Sequence, residues 1–294
     1  MKEKTGVDIF FEYVPSLRIW YKALLTYIYQ FLIFILLLVF FWWISSKVFY
    51  GALFGQFLIT FCFTLTYVYY IKNIEIVRKK YRQKYGKLAY QHFYFKFMIY
   101  MPPFGNASAF LPLLLIRYDF LPNIISISHP VIDAFSFPFY SSIPIGISFI
   151  IIGILIRKPS GGFDVDTQLL VYLIFPENSK KIQSGIYKFI RHPQYSGEGF
   201  VIIGIGVFAN NILAIGVALI HFLAYLLIIK IEDGELIKRF GDDFRSYQKK
   251  VPALFPRYGN WKEFFRFIFS SKSRSDVDGS LIKSIYFIKM NVSD

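Results

Sequence analysis

Arg191-His192-Pro193-Gln194-Tyr195 stands just before a stretch free of Lys, Arg, Asp and Glu, residues 200–229, and Glu232-Asp233 stands just after it. Ionisable groups at the rim of an apolar segment are costly to keep there and mark binding or proton chemistry. Proline is favoured at the first helical position, where no N–H is needed, so a helix is expected to begin at Pro193 with His192 at its cap. The free N–H groups of that first turn attract an anion such as an amino-acid carboxylate. Gly197, Gly199, Gly204 and Gly206 follow on the same helix and let a neighbouring helix or a ligand approach closely. Asn210-Asn211 reads as the turn of a helical hairpin, which would return Glu232 to the face that carries His192 and Tyr195.

The elements that must position these residues are membrane spans. The 294-residue chain is 55% hydrophobic and 21% aromatic, above the roughly 45–50% apolar content of soluble domains. Residues 24–44, 48–71, 97–116 and 137–156 are uncharged, and each is about the ~20 residues that cross a ~30 Å hydrocarbon core. The third stretch contains Pro102, Pro103 and Pro112, so it is expected to be kinked or broken, or to be entered at Pro102-Pro103. With the N-terminus placed on the cytoplasmic side, every Lys and Arg except Lys47 and Arg117 falls on that side, the pattern of the positive-inside rule. The net charge of +14 then reads as attraction to anionic membrane headgroups and not to nucleic acid, whose binding would not segregate charge by loop. Cys62 is the lone cysteine, so neither a disulfide framework nor a cysteine metal cluster is expected, and no metal site is assigned.

The expected fold is all-α. It is a polytopic membrane helix bundle with four N-terminal spans, a C-terminal helical hairpin and a following amphipathic cytoplasmic helix. Residues 1–156 form the N-terminal membrane region, residues 157–257 the core that carries the motifs, and residues 258–294 an interfacial or disordered tail rich in aromatic and basic residues. Residues 74–90 loosely echo 231–247 and read as a second basic juxtamembrane helix. The hairpin brings together an anion site, a carboxylate for an ammonium or for ribose hydroxyls, and an aromatic face for a sulfonium cation. Those are the groups that S-adenosylmethionine presents.

The motif R-H-P-Q-Y-S-G at 191–197, followed by E-D-G-E-L-I-K-R-F-G-D-D-F-R-S-Y-Q-K-K-V-P-A-L-F-P at 232–256, resembles the isoprenylcysteine carboxyl methyltransferase and phospholipid methyltransferase group of membrane enzymes. The connector at 171–177 and Ser184-Gly185-Ile186-Tyr187 are similar to that family as well. The resemblance covers about residues 155–257. It implies an S-adenosylmethionine-dependent methyltransferase whose acceptor is a lipid or lipidated substrate taken from the bilayer. It implies cofactor contacts from Tyr187, His192, Pro193, Gln194, Tyr195, Glu232 and Asp233, with backbone help from 179–182, including Lys181 and Ile182, and a catalytic part for Arg191 and His192.

An amine acceptor would have to lose a proton, for which His192 or Glu232 is a candidate. Carboxyl-methylating members carry Arg where this chain has Ile228, so an isoprenylcysteine carboxylate is expected to be a poor acceptor beside a phospholipid or another small lipophilic molecule. Nicotinamide-dependent membrane reductases of sterol type share an Arg-His-x-x-Tyr turn and a Gly…Tyr…Val-Pro ending, and they remain the alternative reading.

Overall fold

The computed structural model describes residues 6–48, 51–115, 138–160, 171–178 and 183–270. Among these the regular elements are helices: α1 (Gly6–Tyr13), α2 (Trp20–Lys47), α3 (Gly51–Lys72), α4 (Ile74–Tyr85), α5 (Ala89–Lys96), α6 (Met101–Phe110), α7 (Phe139–Arg157), α8 (Pro193–Phe208), α9 (Ile212–Lys250) and α10 (Trp261–Phe269). Trp20–Ser45, Leu53–Lys72, Tyr140–Arg157 and Ile212–Lys250 are long and apolar enough to cross a membrane. A helix satisfies its own backbone, so it can face lipid on all sides. α2 leaves Leu24, Leu25, Phe31, Leu36, Phe40 and Trp42 exposed along most of its surface and buries Phe41 against its neighbours.

The third expected crossing is not one helix. A 3-10 turn at Met98–Tyr100 leads into α6, and a second 3-10 turn, Leu111–Leu115, follows it. Pro102 and Pro103 sit in the first turn of α6, where their missing N–H groups cost nothing. Pro112 then removes the donor an α-helix would need to go on. Ala107 of the short α6 and Leu111 of the turn after it pack against Phe41 of α2 and Ile59 of α3.

The hairpin lies where its residues indicate. Asn210 takes the left-handed conformation (φ 54°), and the Asn211 side chain accepts from the N–H groups of Leu213 (3.0 Å) and Ala214 (3.4 Å), capping α9. Ser142 Oγ donates to Asn210 Oδ1 at 2.8 Å, tying the start of α7 to the turn. α7 and α8 run antiparallel with their backbones in contact. A Cβ on Gly197 would lie 2.6 Å from the Gly153 carbonyl oxygen, and one on Gly204 would lie 2.8 Å from that of Gly146. Gly199 faces the Phe222 ring, and Gly206 faces Ala214 and Ala218. The small residues of α8 therefore serve helix packing, the driving contact where lipid gives no hydrophobic preference.

α9 runs on from the apolar arm into the expected amphipathic helix without a loop. Its one break in helical geometry is Gly241 (φ 60°, ψ −138°), a conformation that suits only glycine. In the tail, α10 buries Phe264 and Ile268 against Ile156, Ile186 and Ile190, while Phe265 and Phe269 are exposed. The remainder, 271–294, lies outside the described residues.

Candidate functional site

The rim of the hairpin is built by a short backbone pairing. After the 3-10 turn Gly185–Lys188, Arg191 N–H donates to the Pro252 carbonyl and His192 N–H to that of Ala253, both at 2.9 Å. This pairing clamps the entrance of α8 to the chain leaving α9. His192 is the N-cap residue and Pro193 opens the helix. His192, Glu232 and Asp233 are all buried.

The two acids face different partners. Asp233 receives Arg191 Nη2 at 2.7 Å, His192 Nε2 at 2.9 Å and Gln248 Nε2 at 3.0 Å. Arg191 also donates to the carbonyls of Gln248 and Val251. Glu232 receives the hydroxyl of Tyr195 at 2.7 Å and that of Tyr67 on the same oxygen, and its other oxygen lies 3.5 Å from His192 Nδ1. His192 thus offers one ring nitrogen to each carboxylate. Asp233 is the better neutralised of the pair, since a guanidinium and an amide also reach it. Glu232 is held chiefly by phenols, which donate hydrogen bonds but carry no charge.

A second layer comes from the N-terminal half. Arg78 of α4 donates to Glu235 (3.0 Å) and to the carbonyls of Leu173 (3.0 Å) and Tyr172 (3.1 Å). Arg82 donates to the Ile174 carbonyl at 2.6 Å and to both oxygens of Glu177 at 2.6 and 2.8 Å. Burial pushes the Glu177 carboxyl up, but its hydrogen bonds with Arg82 and that residue's charge outweigh this and hold it below its ordinary 4.5. The connector 171–178 is thereby pinned over the acids. Tyr172, 3.5 Å from the Tyr67 hydroxyl, is pushed well above the usual phenol range by burial and by the charge of Glu232, so it keeps its proton. The Arg239 guanidinium lies 4.1 Å from the Tyr172 ring centre, within cation–π range.

Inward from the rim lies a cavity of about 350 Å³. Its walls come from α3 (Thr60, Tyr67), α6 (Gly105, Ser108), α8 (Gln194, Tyr195, Glu198) and α9 (His221, Tyr225, Ile228), with Arg157 from the end of α7. Arg157 pairs with Glu198 at 3.7 Å. The rings of His192, Tyr195 and Tyr225 form a ladder from the rim into the cavity, with centroid separations of 5.8 and 5.0 Å and interplanar angles of 28° in each step.

The structure brings Arg191, His192, Tyr195, Glu232 and Asp233 into one group, with Pro193 at the helix start and Gln194 on the cavity wall. Tyr187 packs instead in a separate cluster with Ile186, Ile190 and Phe264, and its carbonyl accepts from the Tyr247 hydroxyl at 2.6 Å. Lys181 and Ile182, with the rest of 179–182, lie outside the described residues. Sequence reasoning did not find Tyr67, Arg78, Thr60, Ser108 or His221. The chain has 22 Tyr, and nothing local separates Tyr67 from the others. His221 did carry a signal, being the one histidine in the interior of the uncharged stretch 200–229.

Residues 142–243 match the family model described as phospholipid methyltransferase. Among curated proteins, the chain is similar to the nickel-cobalt-cadmium resistance protein NccN of Alcaligenes xylosoxydans xylosoxydans, with 28% identity over 123 residues, 42% of this chain and 56% of that protein. It is 34% identical over 76 residues to the protein-S-isoprenylcysteine O-methyltransferase of Xenopus laevis, covering 26% of each chain. It is 30% identical over 117 residues to protein-S-isoprenylcysteine O-methyltransferase B of Arabidopsis thaliana, covering 38% of this chain and 57% of that one. The chain spans about half or less of the curated relatives it matches. No solved structure matches it. Residues 142–243 are thus a region of phospholipid methyltransferase type, and with its four apolar helices the chain is an integral membrane protein.

Proposed function

We propose that this protein transfers the sulfonium methyl of S-adenosylmethionine to a lipid-borne acceptor, with the rim of the hairpin on the cytoplasmic side. The observation that carries the reading is the junction of two unlike surfaces: a charged, hydrogen-bonded rim and a cavity that continues from it to bilayer depth through the Tyr195–Tyr225 stack. The residues present fit the cofactor. Glu232 is a buried carboxylate with one oxygen tied to two phenols and the other only 3.5 Å from His192, suited to an ammonium or to ribose hydroxyls. The first turn of α8 offers the N–H groups of Gln194 and Tyr195 to a carboxylate, and the aromatic ladder offers π faces to a sulfonium.

S-adenosylmethionine, when bound, supplies an electrophilic methyl group on positively charged sulfur. The chain's own part is to hold donor and acceptor in line and to keep water out. Asp233 and Arg191 lock α8 to α9, His192 orients both acids, and the connector pinned by Arg78 and Arg82 covers the rim. The acceptor enters from the bilayer, and the basic face meets anionic headgroups.

Calorimetry on the purified protein in lipid nanodiscs tests this. The parent binds S-adenosylmethionine, and Glu232→Gln and Tyr195→Phe each weaken it, the former about a hundredfold, as expected for loss of a charge-assisted hydrogen bond. Tighter binding of NADPH than of S-adenosylmethionine by the parent overturns the reading in favour of a reductase. The sidedness has its own test in intact cells, with Cys62 replaced by Ala. Cysteine at the exposed Tyr258 stays unlabelled by an impermeant thiol reagent, whereas cysteine at Ile212, beside the hairpin turn, is labelled.

A further inference from the structure

At bilayer depth the cavity holds a second polar group, away from the rim. His221 Nδ1 lies 2.8 Å from Thr60 Oγ1 and 3.0 Å from Ser108 Oγ, the two hydroxyls are 3.0 Å apart, and His221 Nε2 lies 3.2 Å from the Tyr225 hydroxyl. The group draws on three helices, and all four residues line the cavity. Polar side chains far from water in a membrane helix are expensive to maintain. Mutual hydrogen bonds could have been made in a closed core, yet these surround an open space. Gly105 widens that space, since a Cβ there would have nothing within 4 Å.

The charge balance of this chamber decides what it can take. Among the described residues that line it, the cationic side chain is Arg157, paired with Glu198, and Ile228 adds only apolar surface. A carboxylate brought here meets hydroxyls and an imidazole but no cation to itself, whereas a hydroxyl or a neutral amine finds donors and acceptors of its own kind. Such acceptors differ from a carboxylate in a second way: they must shed a proton when they are methylated. At the rim, His192 already faces both carboxylates, and Glu232 holds two phenols. In the tautomer with the His221 proton on Nδ1, donated to Thr60 or Ser108, Nε2 is left to accept from Tyr225.

The geometry points to the Thr60–Ser108–His221–Tyr225 group as the site that holds the un-ionised, proton-bearing end of the acceptor, with His221 receiving its proton through Tyr225. This rests on the methyl-transfer reading above. As the new bond to carbon forms on the acceptor oxygen or nitrogen, the C–S bond of the sulfonium breaks and its electron pair stays on sulfur as a neutral thioether. The proton leaving the acceptor passes to the Tyr225 oxygen while the Tyr225 proton passes to His221 Nε2. The resulting imidazolium releases that proton to solvent before the next cycle. His221 acts through Tyr225 and is a positioning and proton-receiving residue.

The full-length protein in nanodiscs is given a long-chain alcohol, a long-chain primary amine and a fatty acid of equal length. Labelled methyl transfer and direct binding of each labelled acceptor are then measured. The parent favours the alcohol or the amine over the fatty acid in both measurements. His221→Asn keeps its affinity for S-adenosylmethionine but loses about a hundredfold or more in kcat on the proton-bearing acceptors, the usual range for a lost proton acceptor. His221→Ala is rescued by added imidazoles in an order that follows their basicity, which merely filling the hole would not produce. Preference for the fatty acid, an unchanged kcat in His221→Asn, or rescue indifferent to basicity overturns the inference. If the parent transfers no methyl group, the function reading fails instead. The binding arm still decides the site, because Thr60→Val and His221→Asn must then weaken binding of the alcohol or the amine for it to stand.

Discussion

Two polar groups share α9 as a common wall, and they are built by opposite rules. At the rim, Arg191, His192, Glu232 and Asp233 are ionisable, buried and bonded to one another. At depth, Thr60, Ser108, His221 and Tyr225 have no full charge among them other than the imidazole's if protonated, and they share hydrogen bonds around a cavity. The difference follows position. Near the headgroups, charges can be assembled against opposite charges, whereas in hydrocarbon each ion is far more costly to hold. Under the proposed function this becomes a division of labour: recognition of a charged, water-soluble ligand would belong at the rim, and recognition of a neutral end group inside.

The sharpest way to break this contrast is at the rim. Asp233→Ala leaves Arg191 buried without its carboxylate, and removing one partner of a buried pair costs about 3–5 kcal/mol. Thermal unfolding in nanodiscs should show a large drop, and Asp233→Asn a smaller one, because the amide still accepts from Arg191. If Asp233→Ala unfolds like the parent, the rim pair has no structural weight.

A change in the chamber gives the next largest effect. Ile228→Arg would place a cation on the wall of the neutral cavity and erase the contrast between the two groups. Relative rates should shift toward a carboxylate acceptor by at least about tenfold, since one hydrogen bond to a charged group is worth about 1.5–3 kcal/mol. Stability should fall at the same time. Competition between the fatty acid and the alcohol measures the shift, and an unchanged ratio would show that the wall at 228 does not meet the acceptor.

The smallest effect lies in the clamp over the rim. Glu177 is held below 4.5 in the folded protein, so its contribution is fully present above about 4.5 and is lost as the pH falls through its lower folded value. The pair with Arg82 is half exposed, and such pairs are worth roughly 0–1 kcal/mol. Glu177→Gln should therefore lower stability slightly at pH 7 and not at all once the pH lies below the folded value. Equal destabilisation at both ends of that range would mean that Arg82 does not depend on the charge of Glu177.

The parts of this design that sequence discloses are those fixed by local chemistry. Pro193 is favoured at the start of a helix, Asn210 and Asn211 supply a left-handed turn and a cap, and the spacing from His192 to Asp233 closes the hairpin on itself. What stayed hidden depends on distant pieces meeting. Tyr67, Arg78, Thr60 and Ser108 lie in or beside α3, α4 and α6, and no periodicity says which of their residues will face α9. The broken passage through α6 was foreshadowed by its prolines, but the way it lends Ser108 to the chamber was not. The echo between 74–90 and 231–247, read as basic juxtamembrane chemistry, has a matching turn: Gly86 (φ 53°, ψ −124°) and Gly241 (φ 60°, ψ −138°) adopt the same rare conformation after a basic helix.

The unbroken run of α9 from Ile212 to Gly241 makes it a ruler. His221, Tyr225, Ile228 and Glu232 are spaced by four, three and four residues. At about 100° per residue, that spacing returns to nearly the same azimuth after three turns, with a rise of about 16 Å from first to last. Depth and phase are therefore set together by one rigid rod. A single extra residue between 226 and 231 would swing everything beyond it by about 100° and turn the rim away from the chamber, even if every side chain named above were kept. Under the proposed reaction, the distance over which a donor held at the rim must present its methyl group to the chamber is thus measured by the pitch of an α-helix, and not by any pocket wall that a substitution could reshape.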